Sequence, residues 1–392
     1  MPKAFSLAGI NFAILRPRIT FANPSKARKK IMTDLSHFDS NIASNPKNTI
    51  FGLPFSEEDA RLIIIPIPWE VTVSSGSGTS RAGEHIFNAS MQVDVFDEES
   101  GNAWKQGIFM RHPDRKVLMK SDYLRKEAEL YINYISKGEE IEKNSFMCKS
   151  LKEINEGSVN LNKWVYEQTS SLLRDDKLVV LLGGDHSVPL GYMKAIAEKY
   201  GEFGILQIDA HCDLRKAYEN FDYSHASIMY NALQEIPQIS KLVQLGLRDF
   251  SEEEFNYIRN NNQRVIAYYD RDIKEKLFEG HTWRSIVDEI IQQLPACVYL
   301  SFDVDGLDPK LCPHTGTPVS GGFEIEQVVY LVKKIIESGR KFIGFDLDEI
   351  AVGESNYDAN VGARILWKLC NMLMAANPLP LTRKETECTT TM

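Results

Sequence analysis

The feature that most constrains this chain is a recurrence. Three short clusters rich in Asp, His and Gly each follow directly on an apolar run of strand length. Gly183-Gly184-Asp185-His186-Ser187 follows Leu178–Leu182, and Asp209-Ala210-His211-Cys212-Asp213 follows the run beginning at Phe203. Asp303-Val304-Asp305-Gly306 closes the run beginning at Val298. Further strand-length runs lie at Leu62–Ile67, Leu242–Leu245, Val265–Tyr269 and Phe342–Asp346. Several lack the alternation of a half-buried strand, as expected for parallel strands covered on both faces. Helical patterns separate them, at Leu161–Leu173, Tyr192–Lys199, Thr282–Gln293 and Glu326–Glu337. Strands alternating with helices predict an α/β fold around a mostly parallel sheet, without repeats or a low-complexity linker. The charged stretch Ser121–Asn144 reads as solvated helix or an insertion.

In such a sheet, ligands gather outside the carboxyl ends of the strands, near a switch point. The three clusters can therefore share one crevice. Residues two apart in an extended segment face the same side, so Asp209, His211 and Asp213 form one wall and Asp303 with Asp305 another. With His186 this gives four carboxylates and two imidazoles, which would repel or lose their charge without cations. Oxygen-rich ligation with some imidazole suits Mn²⁺ better than a thiolate-loving metal. Two such ions can generate a hydroxide nucleophile near neutral pH. Taken singly, each cluster has a plainer reading. Asp185 or Ser187 can cap the next helix, and Gly306 can supply an unusual backbone angle in a turn.

Charge narrows the function classes. The 392 residues carry 45 Lys+Arg against 54 Asp+Glu, a net charge of -9, with a pI near 5.5. That argues against nucleic acid, whose binding rests on basic side chains. No apolar run reaches the ~20 residues of a membrane span. The six cysteines form no CxxC pair, so a reducing, cytoplasmic setting is expected. Residues 1–31 hold seven basic residues and no acid, leaving -16 for the remainder. That segment has the composition of an organellar transit peptide, and equally of a basic arm or of sequence upstream of a start at Met32. The expected organisation is an N-terminal extension over 1–50, one catalytic domain over 51–376 and a tail over 377–392. The glycine-rich stretch Ser75–Thr79 lacks the Lys of a phosphate-binding loop.

The three motifs in this order resemble the ureohydrolase family, the arginase and agmatinase group, from about Pro66 to Leu373. The resemblance implies a three-layer α/β/α domain, trimers or hexamers, and hydrolysis of a guanidino group to urea at a dinuclear, usually Mn²⁺, centre. It implies one metal on His186, Asp209, Asp213 and Asp303, and the other on His211, Asp209, Asp303 and Asp305. It makes His225 a proton shuttle and Glu349 the holder of the substrate guanidinium, with Asp213 aiding the tetrahedral intermediate. Asp185 falls behind the ligands, and Gly316-Thr317-Pro318 with Gly321-Gly322 beside the active site. The segment Leu214-Arg215-Lys216-Ala217-Tyr218 and Ser224-His225-Ala226 is similar to one agmatinase branch that also resembles guanidine hydrolases, some of which use Ni²⁺. Agmatine is therefore the first expected substrate and free guanidine the second. A metal-binding scaffold without catalysis is a third reading. Cys312 and His314 are expected to shape the pocket or only to pack the loop.

Overall fold

In a computed structural model, residues 33–378 are described, apart from 37, 40, 41, 43 and 354. The basic segment 1–31 and most of the expected tail lie outside them. Among the described residues eight strands form one sheet: β1 (Leu62–Pro66), β2 (Ile108–Met110), β3 (Leu178–Leu182), β4 (Phe203–Ile208), β5 (Ile239–Leu247), β6 (Val265–Tyr269), β7 (Cys297–Asp303) and β8 (Lys341–Asp348). Every pairing is parallel, in the order β2-β1-β3-β8-β7-β4-β5-β6. The helices are α1 (Ala82–Ser90), α2 (Arg115–Ile135), α3 (Ser145–Arg174), α4 (Leu190–Tyr200) and α5 (Ile228–Glu235), then α6 (Glu252–Asn260), α7 (Asp270–Phe278), α8 (Trp283–Gln293), α9 (Ile325–Glu337) and α10 (Tyr357–Ala376). Among the described residues no helix is long and apolar enough to cross a membrane.

The central strands are Leu-, Ile- and Val-rich and buried at every position in β1, β3 and β4. That pattern requires cover on both faces, and each such side chain contributes about 1.5–3 kcal/mol. The core begins before residue 51. Ile50 and Phe51 are buried, Phe51 meets Trp367 edge-on with centroids 4.7 Å apart, and Phe38 meets Trp104 at 5.6 Å.

The sequence pattern missed β2 and the buried face of α2. β2, only three residues long, extends the sheet past β1. α2 covers most of Ser121–Asn144 and is not merely solvated: Ser121, Leu124, Ala128 and Tyr131 recur at helical spacing and are buried. Asp114 caps it, accepting the amides of Lys116 and Val117, a contribution of about 1 kcal/mol.

The strand order positions the site. β3, β8, β7 and β4 are consecutive neighbours, with Leu182 opposite Leu347, Asp303 opposite Asp348, and Ile208 opposite Phe302. Their carboxyl ends therefore open side by side. These are the strands that carry the three clusters and the Asp348-Glu349 pair.

Candidate active site

Close packing explains the cluster glycines. A Cβ on Gly183 would overlap the Asp348 carboxylate, and one on Gly184 would overlap the Trp69 carbonyl. Gly306 has no positive φ, contrary to the turn-angle expectation. It is needed because a Cβ there would stand 2.7 Å from the Asp209 amide nitrogen. Asp185 does not cap α4 either, whose N-cap is Pro189 without a side-chain bond. Its carboxylate instead takes the amide (3.0 Å) and hydroxyl of Ser187, and the amide and hydroxyl of Thr72 at 3.4 Å each.

The acids converge by turns rather than by strand alternation. β4 ends at Ile208, and Asp213 is reached through a left-handed backbone, φ 54°. β7 ends at Asp303, whose side chain accepts the Asp305 amide at 2.8 Å and starts a single 3₁₀ turn. Glu349, just past β8, also has a left-handed φ of 63°. Non-glycine residues so placed cost of order 1–3 kcal/mol each and cluster at functional sites.

All six expected ligands come together. His186 Nδ1 lies 2.9 Å from Asp213 Oδ2, 3.0 Å from Asp209 Oδ2 and 3.4 Å from Asp303 Oδ2. His211 Nδ1 lies 2.9 Å from Asp305 Oδ2 and 3.6 Å from Asp209 Oδ1. Asp209 thus faces one imidazole with each oxygen. Asp303 offers Oδ2 to the His186 side while its Oδ1 takes the Asp305 amide. Groups able to hold a cation are His186-Asp209-Asp303 and Asp209-His211-Asp305, with a third at His186-Asp346-Asp348.

The donor set fits cations. His186 Nε2 contacts Ser301 Oγ at 2.9 Å, and Ser301 donates to Asp346 Oδ1 at 2.8 Å. Its Nδ1 is buried without a hydrogen-bond partner although three carboxylates surround it. A ring whose far nitrogen is tied to a hydroxyl–carboxylate chain and whose near nitrogen points into acids is arranged as a metal ligand. Electrostatics agree. Burial raises the Asp213 pKa to about 8, with Asp209 adding repulsion, and burial likewise lifts Asp303 and Asp305. For His211 burial acts downward, but the charges of Asp305 and Asp209 carry it up to about 12. The cluster demands positive charge from whatever can supply it.

Support for the site comes from within the apolar runs, where sequence reasoning named nothing. Gln207 Nε2 donates to Asp209 Oδ2 at 2.8 Å, and Gln244 donates to Gln207 and to the Cys212 carbonyl at 2.6 and 2.7 Å. Tyr299 donates to Asp346. The available signal was polar residues at spacing two, in Tyr299-Ser301-Asp303 and Asp346-Asp348.

The cluster opens into a cavity of about 170 Å³ also lined by Ser74, Arg215, Tyr218, His225, Asp249, Thr317 and Glu349. Glu349 Oε1 accepts the His186 amide at 2.9 Å, while Oε2 is buried without a partner. Burial, then the charges of Asp303 and Asp185, push its pKa well up. A Cβ on Gly316 would lie 3.2 Å from that free oxygen, so the glycine keeps its approach open. His225 donates its amide to Thr72 Oγ1 at 3.1 Å, and burial, aided by His211, lowers its pKa to about 4. The imidazole is neutral at pH 7. Tyr218 meets it edge-on at 6.1 Å, and the Arg215 guanidinium lies 4.9 Å over Tyr218 and 3.7 Å from Glu254. Cys312 is buried in the core and His314 is paired with Asp358 at 2.8 Å; neither lines the cavity. The glycine-rich loop binds an anion after all, but an internal one. Glu70 Oε2 accepts the amides of Gly78 and Ser80 and the hydroxyl of Thr79 at 2.6, 3.2 and 3.3 Å.

Known proteins are similar to this chain. The chain is 30% identical over 299 residues to the N(1)-aminopropylagmatine ureohydrolase of Thermus thermophilus, covering 75% of this chain and 84% of that one. Its fold resembles the agmatine ureohydrolase of Thermoplasma volcanium (TM-score 0.60, 20% identity, covering 86% and 94%). It also resembles the proclavaminate amidino hydrolase of Streptomyces clavuligerus (TM-score 0.61, 20% identity, 84% and 97%). With the arginase family profile matching residues 60–371, the chain belongs to the arginase family and is a ureohydrolase.

Proposed function

We propose that the enzyme hydrolyses agmatine to putrescine and urea at two divalent ions, Mn²⁺ in the first instance. The observation that carries this reading is the pairing of two features in one cavity: a six-residue cation-binding cluster, buried except at His211, and a buried Glu349 with one oxygen unclaimed. His186, Asp209, Asp213 and Asp303 would hold one ion, and His211, Asp209, Asp303 and Asp305 the other. When bound, such a pair supplies Lewis acidity and a water-derived nucleophile at neutral pH.

The protein's own groups do the rest. Glu349 Oε2 takes a guanidinium N–H, a charge-assisted bond that orients the planar cation with its carbon toward the acids. The charged substrate relieves the repulsion that raises the Glu349 pKa. Asp213 stands beside His186, placed to accept hydrogen bonds from the amino groups as the carbon becomes tetrahedral. His225, neutral at rest, can take up the proton that the attacking water gives up and pass it to the departing amine. Asp249, exposed at the cavity wall, offers a carboxylate to an ammonium tail. Its presence also admits the N(1)-aminopropyl derivative named for the Thermus relative.

A second reading, free guanidine with Ni²⁺, is favoured by one observation. Arg215, stacked on Tyr218 and facing Glu254, occupies the wall of a small cavity and leaves limited room for a tail. Urea release from agmatine, N(1)-aminopropylagmatine, guanidine, arginine, guanidinobutyrate and formimidoylglutamate, each with Mn²⁺ and Ni²⁺, separates the readings. Tight metal binding with no urea from any compound would leave the non-catalytic scaffold. We extend the proposal to one catalytic domain over 51–376, onto which Phe38 and Ile50 also pack, and to a trimeric or hexameric assembly.

A further inference from the structure

The segment from Trp69 to Ser80 runs along the site as a strap and touches it at three places. The Trp69 carbonyl accepts the Asp185 amide at 2.8 Å. Thr72 bonds Asp185 through its amide and hydroxyl and accepts the His225 amide through its hydroxyl oxygen. Gly76 donates its amide to the Gly316 carbonyl at 3.2 Å, and a Cβ on Gly76 would stand 3.3 Å from Gly316 Cα. Gly316 in turn lies beside the unclaimed oxygen of Glu349. The far half of the strap has no helix or strand of its own beyond one 3₁₀ turn at Thr79–Arg81. What folds it back is Glu70, with the three donors from Gly78, Thr79 and Ser80 on a single oxygen. α2 fixes the start of the strap: Glu70 donates its amide to Ser121 Oγ at 3.1 Å, and Arg125 donates to the Val71 and Val73 carbonyls.

We infer that Glu70 is a positioning residue: by clasping the Gly78–Ser80 amides it presses Gly76 onto Gly316 and so sets the wall against which Glu349 receives the guanidinium. Charge-assisted bonds from backbone amides to a carboxylate are the strong kind, and two of them with the Thr79 hydroxyl on one oxygen replace the regular structure that this stretch lacks. The effect falls on substrate binding, because Gly76 bears on Gly316, whose backbone stands against the free oxygen of Glu349. The kinetic part of the inference rests on the ureohydrolase reading of the same site; the structural part does not.

The test compares full-length wild type with Glu70→Ala and Glu70→Gln, loaded with Mn²⁺. Glu70→Ala is expected to raise KM about tenfold with kcat within about threefold, since ground-state positioning is what is removed. Amide exchange is expected to quicken at 74–80 and 315–317 alone, with metal content unchanged. Glu70→Gln, whose carbonyl still accepts these donors, is expected within about threefold of wild type in KM. Should Glu70→Ala be insoluble, Glu70→Asp, one methylene short of the loop, carries the same readouts. Unchanged KM with quickened exchange, a Gln variant as impaired as Ala, or exchange that quickens throughout with loss of metal would each overturn the inference. If wild type releases urea from no compound, the substrate reading fails. The exchange pattern still decides whether Glu70 clasps the strap.

Discussion

Glu349 Oε1 accepts the backbone N–H of His186 at 2.9 Å, so the acid facing the cavity and the imidazole facing the carboxylate cluster are held by one bond. The two halves of the site cannot shift independently. Glu349→Gln keeps an acceptor for that amide and removes the charge. Charge-assisted hydrogen bonds contribute about 1.5–3 kcal/mol, so urea release per unit enzyme should fall about 10- to 150-fold in kcat/KM. Metal content, measured by elemental analysis, should not change.

Removing a ligand is a different matter from removing the substrate's partner. His211→Ala or Asp305→Ala should nearly abolish urea release while circular dichroism and size stay those of the wild type. Full activity in either purified variant would contradict the assignment of the cluster.

Ser301 is the most direct test of the support beneath the ligands. It joins His186 Nε2 to Asp346, at 2.9 and 2.8 Å. Ser301→Ala leaves the ring free to rotate or change tautomer, and loss of such a partner costs about 10- to 100-fold in metal affinity. Competition titration with a chromophoric chelator reads this directly. The same substitution should leave KM almost unchanged once metal is saturating.

The pH dependence of the metal-free protein has a defined sign. Burial raises Asp213 in the folded state from an ordinary carboxylate pKa to about 8. A group raised in this way contributes stability that is fully present below about pH 4 and is lost as pH rises through about 8. Asp303 and Asp305 shift in the same direction. The chelator-treated protein should therefore melt at lower temperature at pH 8.5 than at pH 6. Added Mn²⁺ should raise the melting temperature more at the higher pH, because the acids are then free to bind it. A metal-free melting temperature that does not fall between those pH values would contradict this account of the cluster.

Much of this was legible beforehand, and the division has a physical cause. The convergence of His186, Asp209, His211, Asp213, Asp303 and Asp305 could be read because such residue types are rare together at strand ends, and apolar runs mark those ends. That β3, β8, β7 and β4 are neighbours could not be read, since β7 and β8, late in the chain, insert between β3 and β4, which follow one another in it. Gln207, Gln244 and Ser301 were hidden because a lone polar residue in an apolar strand has no fixed meaning until its partner is known. Gly306 was read as a turn glycine, whereas the demand comes from Asp209, about a hundred residues earlier in the chain. α2 was read as solvated because its charges outnumber its buried face, although Leu124, Ala128 and Tyr131 already carried the helical period.

The left-handed backbones of Asp213 and Glu349 set this enzyme's activity against its durability. Both positions would be more comfortable as glycine, and the surrounding acids make both carboxylates costly to bury. A population selected for heat resistance alone, with no demand for turnover, should lose these two side chains early, and the chemistry with them.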